Sequence, residues 1–339
     1  MPQDDNYRFI KASPATNDDL LLICSQDYID FTRDYYKQAH EGVIDHVKFG
    51  LYQSMDNMPF EQPGRLEEAA RLIIGQAKTG CDLVQKGEYK KAVSIGGGMH
   101  HAKATSGEGF CLYNDVAFTA RYLLETHKLE RVMILDTDAH AGNGTCEYFY
   151  EEPRVLFIDL HQDPRTLYPG TGFAKDIGSG KGRGYTVNVP LPPNAGYDSY
   201  HRIFCEIVEP IAREFQPQII IRNGGSDPHA DDGLTDLGLP VRGFHMIGER
   251  VRNLCDEVCE GREIDLIASG YNKRVLPYAW LALLAGLAGW HIDVLEPQPA
   301  TRKFARDPAY TETKMVEAEL KSNLKPFWKC FQTHTPAPF

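Results

Sequence analysis

Four short clusters of glycine and polar residues each follow an apolar, strand-like segment of this 339-residue chain. In chain order they span residues 96–102, 136–145, 223–227 and 269–271. In an open parallel α/β sheet, ligands bind beyond the carboxyl ends of the strands. If the apolar segments form one such sheet, all four clusters meet at one edge and make one site.

The second cluster contains an Asp-x-Asp-x-His pattern that could bind a metal ion. Asp136 and Asp138 alternate at a strand end and therefore share a side. Asp138 and His140 offer a carboxylate and an imidazole, and Asp227 could supply a third ligand. Three protein ligands leave a position for water and substrate, which is typical of a catalytic zinc site. Taken alone, the pattern is equally compatible with an ordinary polar loop, but the neighbouring clusters favour the metal site.

The first and fourth clusters supply groups for acid–base chemistry. Beside a metal, one member of the pair His100-His101 could take a proton from water and later protonate a leaving amine. Tyr271 follows a glycine, and its phenol could donate to an oxygen that becomes negative in the reaction. We expect His161 and His229 to lie in loops at the rim, where they could touch substrate.

The cysteines do not form a Cys-x-x-Cys pair. Cys255 and Cys259 lie one helical turn apart, a spacing that could suit a metal but is more typical of a buried helix face. Reduced thiols and a cytoplasmic location are the expectation, because no signal segment is seen at the start of the chain.

The pattern of apolar residues predicts strands that alternate with helices, which indicates a parallel sheet covered on both faces. The predicted strands cover 92–95, 131–135, 155–158, 185–189 (stopped by Pro190), 218–222 and 264–268. The predicted helices cover 18–39, 64–86, 112–125, 197–215, 243–259 and 277–287. We expect one catalytic domain over 1–339, with a mainly helical part at 1–90, core βα units at 91–290 and a surface segment at 291–339 that frays at its end. The loop 55–63 shows no regular period.

Composition limits the class of protein. The net charge of -11 disfavours binding to nucleic-acid phosphates and is compatible with cationic small molecules or lysine-rich peptides. No apolar run is long enough to cross a membrane. The sequence is compatible with an oligomer.

Together these residues resemble the zinc-dependent histone deacetylase family, which includes acetoin-utilisation proteins and acetylpolyamine amidohydrolases. The resemblance covers roughly residues 15 to 290. The matching stretches are 96–102, 107–111, 136–145, 168–172, 188–191, 226–227, 230–234 and 270–272. The resemblance implies a three-layer, arginase-like α/β fold, one zinc ion per chain and hydrolysis of the amide bond of an acylated amine such as acetyl-lysine.

The resemblance also assigns roles to individual residues. It implies that Asp138, His140 and Asp227 bind zinc and that His101 is the general base and acid. The resemblance also implies that His100 is the partner of His101 and polarises the water and the scissile carbonyl. Asp136 would orient His100 and contribute to a structural potassium site. The remaining matches are Asn143 behind His101, Tyr271 at the oxyanion, Phe110 and Tyr168 as tunnel walls, Leu234 at the rim, and Gly109 and Gly270 beside the substrate.

The sequence departs from the family pattern in three places. An opening strand with a His-Pro-Glu-Arg type segment has no counterpart before the Asp18-Asp19-Leu20 region. His140 is followed by Ala141 instead of a second histidine, a form similar to the class IV branch, and Ser226 precedes Asp227. None of these departures removes a ligand.

Several functions stay open at this point. An acetylpolyamine hydrolase or a long-chain acyl-lysine hydrolase would fit the same tunnel, although an apolar Leu234 argues against the first. A catalytically silent binder of acyl-lysine would be expected to lose a ligand or the tyrosine. A dimanganese hydrolase would need more ligands than the single complete set seen here.

Overall fold

The computed structural model describes residues 7–43, 45–58, 64–297 and 306–332. Its centre is a six-stranded sheet with the order β1-β6-β5-β2-β3-β4, in which every neighbouring pair is parallel. The strands are β1 (Lys91–Ile95), β2 (Val132–Asp136), β3 (Val155–Gln162), β4 (Thr186–Leu191), β5 (Ile219–Gly224) and β6 (Glu263–Ile267). The predicted parallel sheet is confirmed.

Eleven α-helices surround the sheet within the described ranges. They are α1 (Asn17–Leu20), α2 (Gln26–His40), α3 (His46–Tyr52), α4 (Gly64–Gln85), α5 (Asp115–Glu125), α6 (Asn143–Phe149), α7 (Tyr197–Ile203), α8 (Glu209–Phe215), α9 (Val241–Val258), α10 (Leu276–Ala288) and α11 (Tyr310–Leu324). None of them combines the length and apolar character that crossing a membrane requires.

Alternation along the strands produces two apolar cores, one on each face of the sheet. On β2, Val132 and Ile134 belong to the core formed with α2, α4 and α5. Met133 and Leu135 belong to the core formed with helices α7 to α11. Since successive strand residues point to opposite faces, a continuous apolar run is needed when both faces are covered. The three-layer α/β fold follows from this pattern.

The sheet differs from expectation at its edge. Strand β4 continues through Pro190 to Leu191, whereas the sequence predicted that Pro190 stops it. Because β4 is the last strand in the order, one of its sides needs no hydrogen-bond partner, and proline is tolerated there.

The predicted helix 18–39 is two helices, α1 and α2. Thr16 caps α1 in a reciprocal hydrogen-bond pair with Asp19, and the hydroxyl of Ser25 caps α2 by accepting from Tyr28 N. A second serine/threonine cap inside an apolar pattern marks a new helix start. The predicted helix 197–215 is divided by a π-helical segment, Phe204–Val208, just before Pro210, which lacks an N–H.

The C-terminal segment, expected to pack on the surface, contains a helix that the sequence did not predict. Helix α11 packs against β4 and α7, and it buries Leu320 and Leu324 in the apolar core, together with Trp328 beyond its end. The predicted fraying at the chain end, residues 333–339, lies outside the described residues, as do 59–63 of the predicted loop; Met55–Asn57 of that loop form a 3₁₀ turn.

Candidate metal centre and active site

The loop after β1 carries the two adjacent histidines, and a carboxylate of helix α5 fixes its path. Asp115 accepts from Gly98 N at 2.9 Å and from Met99 N at 2.7 Å. A Cβ atom on Gly97 would lie only 2.1 Å from an oxygen of Asp115, so the loop requires glycine there. The loop delivers the buried rings of His100 and His101 to the edge where the strands end.

Three buried side chains converge beyond β2 and β5. Nδ1 of His140 lies 3.1 Å from Oδ1 of Asp138 and 3.2 Å from Oδ2 of Asp227. One ligand atom from each residue lies within 4.8 Å of the others, and no other such set of His, Cys, Asp or Glu occurs among the residues that the structure describes. The fold therefore brings together the three residues that the sequence proposed as ligands.

The electrostatics of this cluster fit a divalent cation. Burial and the charge of Asp138 raise the pKa of Asp227 to about 7. Burial alone would lower the pKa of His140, but hydrogen bonds to the carboxylates of Asp138 and Asp227 outweigh it and raise that pKa to about 10. The site thus favours positive charge between two carboxylates, and an imidazole with two carboxylates is a donor set that zinc accepts. These residues fit the metal that the family implies.

His100 is held by a completely buried carboxylate. Its Nδ1 lies 2.9 Å from Oδ2 of Asp136, which also accepts from the side-chain amide of Asn223 at 3.0 Å. Burial would lower the pKa of His100, but the charges of Asp136 and Asp138 outweigh it and raise the pKa to about 9. The two carboxylates therefore favour the charged form of this ring.

His101 has a neutral partner instead. Its Nδ1 lies 2.7 Å from Oδ1 of Asn143, the first residue of α6. Burial and the adjacent positive charge of His100 hold the pKa of His101 well below its usual value of 6.5. The two rings are 4.2 Å apart, and the ring of Tyr168 packs edge-on against His101 at 5.1 Å. His101 is therefore neutral and able to accept a proton.

Tyr271 reaches the cluster through a turn that only glycine fits. Gly270 has a φ of +119°, and a Cβ atom there would lie 1.9 Å from the hydroxyl of Ser226. Tyr271 N donates to the carboxylate of Asp232 at 2.8 Å, and the tyrosine ring lies edge-on to His140 at 6.2 Å. Burial and the charges of Asp138 and Asp227 raise the pKa of Tyr271, so its hydroxyl keeps its proton.

The predicted wall and rim residues surround this centre. Phe110 is 60% exposed and its ring lies 6.4 Å from that of Tyr271. Tyr168 and Leu234 are also partly open to solvent. The same carboxylate, Asp232, accepts from Leu234 N at 2.9 Å, so it ties the rim to Tyr271. Their contact with substrate stays a prediction.

Three further sequence expectations have a structural answer. His161 is not in a rim loop but inside β3, fully buried, and its Nε2 contacts the carbonyl of Gly172 at 2.8 Å. His229 is buried as well and lies 3.0 Å from Glu296. Cys255 and Cys259 are both buried in the apolar core, as expected for a helix face that packs inward.

Sequence reasoning missed the residues that orient the site. Asn223 donates to Asp136, Ser269 donates to Asp227 at 2.7 Å, and Asp115 and Asp232 hold the loops that carry the histidines and Tyr271. Asn223 and Ser269 lie inside two of the polar clusters that the sequence analysis identified, so their positions in the sequence could have indicated that they belong to the site. Their partners depend on how neighbouring strands are aligned, which no local pattern shows.

Comparisons with known proteins agree with this geometry. Residues 2–287 match the model of the histone deacetylase domain family. A protein of Archaeoglobus fulgidus named "Probable deacetylase" is 36% identical over 97% of this chain and 89% of its own length. The acetoin utilization protein AcuC of Staphylococcus aureus is 37% identical over 78% of this chain and 67% of its own length.

A solved structure gives the same result for the fold. The crystal structure of the HDA15 HD domain superposes with a TM-score of 0.78 at 26% identity, covering 95% of this chain and 83% of that one. The chain belongs to the histone deacetylase domain family. Membership supports a deacetylase that hydrolyses the amide of an acylated amine, on an arginase-like α/β fold with a buried Asp-His-Asp group suited to a metal.

Proposed function

We propose that this chain is a zinc-dependent amide hydrolase that removes an acetyl or related acyl group from an amine such as acetyl-lysine. The observation that carries the proposal is the convergence of three elements at one edge of the sheet. A buried Asp138–His140–Asp227 set lies beside His100, which contacts Asp136, and His101, which contacts Asn143, and the ring of Tyr271 lies edge-on to that of His140.

Asp138, His140 and Asp227 would hold one zinc ion per chain. When bound, zinc would act as a Lewis acid toward the acyl carbonyl and lower the pKa of water. One ion is proposed because the described residues supply one complete ligand set.

His101 would carry the proton. Its Nδ1 is committed to Asn143, which leaves Nε2 to accept a proton from the attacking water. The same Nε2 would then return the proton to the amine as the C–N bond breaks. A neutral imidazole is the form required for the first step, and burial beside His100 favours that form.

His100 and Tyr271 would stabilise the negative charge that develops on the former carbonyl oxygen. His100 contributes a positive charge that Asp136 maintains, and Tyr271 contributes a hydroxyl that remains protonated. Donors that are fixed before the reaction stabilise the transition state without reorganising during it.

The mouth of the site suggests the substrate class. Phe110, Tyr168 and Leu234 offer apolar and aromatic surface for an acyl-amine stem. Burial, and to a smaller extent the carboxylates of Glu108 and Asp56, raise the pKa of Tyr168. Carboxylates close to the mouth suit a substrate with further positive charges. The apolar Leu234 favours an acetyl-lysine peptide over an acetylated polyamine.

We also propose a structural potassium ion beside Asp136, as the family resemblance implies. Asp159 pairs with Asp136 in register and is buried, its Oδ2 accepts from Gly142 N at 2.9 Å, and its Oδ1 lies 3.1 Å from Nδ1 of His161. A cytoplasmic location and the absence of nucleic-acid binding stay predictions.

A side-by-side assay tests the proposal. Purified protein, with its metal content measured in the same preparation, is given an acetyl-lysine peptide, a long-acyl-lysine peptide and an N-acetylated polyamine. We expect fastest turnover of the acetyl-lysine peptide and about one zinc ion per chain. Binding of all three without turnover in the zinc-loaded protein would instead indicate a silent acyl-lysine binder.

A further inference from the structure

Glu108 is placed beside the catalytic histidines by a tight turn. Cys111 N donates to the carbonyl of Glu108 at 2.9 Å, and the two residues between them, Gly109 and Phe110, have φ values of +59° and +63°. A Cβ atom on Gly109 would lie 2.4 Å from Cδ2 of His101. One turn therefore packs against the His101 ring, presents Phe110 at the rim and directs Glu108 back toward helix α6.

The carboxylate of Glu108 determines which way the amide of Asn143 faces. Nδ2 of Asn143 donates to Oε1 of Glu108, while Oδ1 of Asn143 faces Nδ1 of His101. An ionised carboxylate can only accept hydrogen bonds, so the amide nitrogen must face Glu108 and the amide oxygen must face His101. Nδ1 of His101 must then carry the proton, and Nε2 is the free base.

We propose that Glu108 is a positioning residue that sets the tautomer of His101 by fixing the amide of Asn143. The inference rests on the proposed function, in which Nε2 of His101 takes the proton from water. The side-chain amide of Asn143 differs from a carboxylate at position 143 because it can rotate by 180° and present N–H instead of oxygen to His101. The rotated amide would favour the opposite tautomer, in which Nε2 is protonated and cannot act as a base.

The surroundings keep Glu108 suited to this task. Lys103 Nζ lies 3.6 Å from Oε1 of Glu108 and 3.7 Å from Oε2 of Glu147. Glu147 is more exposed than Glu108, with side chains 63% and 25% exposed. Both carboxylates thus share the same lysine, but Glu108 is the one that contacts Asn143. Glu147 is therefore a matched control for the loss of one negative charge.

The first test compares three variants in steady-state kinetics. Glu108→Met removes the acceptor at similar volume, Glu108→Gln retains an acceptor oxygen, and Glu147→Met removes the control charge. We expect kcat to fall on the order of 10-fold in Glu108→Met with KM little changed, because only part of the population keeps the reactive tautomer. Glu108→Gln should recover most of that loss, and Glu147→Met should match the unmodified protein.

The second test uses Asn143→Asp. A carboxylate at position 143 offers oxygen in either orientation, so the His101 tautomer no longer depends on Glu108, and two adjacent carboxylates repel each other. In this background Glu108→Met should leave kcat unchanged or raise it. An equal fall in both backgrounds would show that Glu108 acts only through local structure, and would overturn the proposal.

The third test does not depend on turnover. Nitrogen-15 NMR of the histidine rings distinguishes the two neutral tautomers, and His101→Ala identifies the signals of His101. We expect the Nδ1–H tautomer in the unmodified protein and a mixture in Glu108→Met. A single Nδ1–H form in folded Glu108→Met would overturn the proposal, even if the protein hydrolyses none of the three substrates. Absence of turnover together with the expected tautomer change would contradict only the proposed function.

Discussion

Nδ1 of His100 lies 2.9 Å from Oδ2 of Asp136, whereas the adjacent His101 has an amide, that of Asn143, in the equivalent place. At His100 the charges of Asp136 and Asp138 outweigh burial and favour the charged form, whereas burial and the neighbouring His100 favour the neutral form of His101. The pKa of His100 is raised to about 9, and that of His101 is held well below 6.5. Groups whose environments separate their pKa values are suited to separate roles in acid–base catalysis.

The histidine pair gives the first prediction. His101→Ala should lower kcat by roughly 10²–10⁴-fold, the usual contribution of a positioned acid–base group. His100→Ala should also be severe, and the double variant should cost less than the product of the two effects, because the rings act as a unit. Single-turnover kinetics measure these effects. If His101→Ala kept near-normal turnover and His100→Ala were inactive, the roles assigned to the two histidines would have to be exchanged.

Metal binding should depend on Asp227. Asp227→Ala should yield a folded protein with little bound zinc, because it removes one of three ligands from the Asp138–His140–Asp227 set. Elemental analysis and far-UV circular dichroism measure the two properties. Asp34→Asn, which removes an exposed carboxylate paired with Arg33, is the control and should retain its metal. Undiminished metal in Asp227→Ala would refute the ligand assignment.

Removal of one hydroxyl tests the oxyanion role of Tyr271. Tyr271→Phe should lower kcat by roughly 10²–10³-fold and leave KM nearly unchanged, since one such donor contributes about 2.7–4 kcal/mol to transition-state stability. Zinc content and folding should match the unmodified protein, because the ring is preserved. Unchanged turnover would show that the phenol takes no part in the reaction.

The buried Glu263 should make stability depend on pH. Its side chain is 1% exposed, and burial raises its pKa to about 7 from an ordinary value of 4.5, although Lys91 lies 2.6 Å away. Because the folded-state pKa is the higher one, this group's contribution is full below pH 4.5 and is lost as pH rises through about 7. The loss is at most on the order of 3 kcal/mol.

Urea unfolding between pH 5 and pH 8 measures this effect. Glu263→Gln should flatten the dependence of the free energy of unfolding on pH over about that range. Glu260→Gln, a change at an exposed side chain in the turn before β6, should leave the dependence as it is. An unchanged curve in Glu263→Gln would contradict the assignment.

The C-terminal helix should contribute to stability. Leu320 of α11 is fully buried, so Leu320→Ala should lower the free energy of unfolding by about 2–5 kcal/mol. Met315 on the same helix is 69% exposed, and Met315→Ala should change stability by less than about 0.5 kcal/mol. Equal effects of the two changes in chemical denaturation would show that α11 does not pack as described.

The sequence by itself determined the parallel sheet and the positions where chemistry could occur. Continuous apolar strands such as 132–135 require two covered faces, and polar residues that follow such strands must lie at one edge. For this reason the sequence alone could identify Asp138, His140, Asp227 and the histidine pair as candidate site residues. The end of the edge strand at Pro190 was predicted wrongly and helix α11 was not predicted, because a local pattern does not show which strand is last or which surface a distant helix covers.

Only the tertiary structure decided the full set of pairings among the site residues. The family resemblance implied Asp136 with His100 and Asn143 with His101, and the structure forms both hydrogen bonds. The hydrogen bonds of Ser269 with Asp227 and of Glu108 with Asn143, which join residues 42 and 35 positions apart, were not anticipated. Hydrogen bonds and pKa shifts depend on distances of a few ångströms and on burial, which are set by strand register and by how loops pack. Residue types can therefore indicate a metal site and a base, but the charge of each histidine follows only from its neighbours in space.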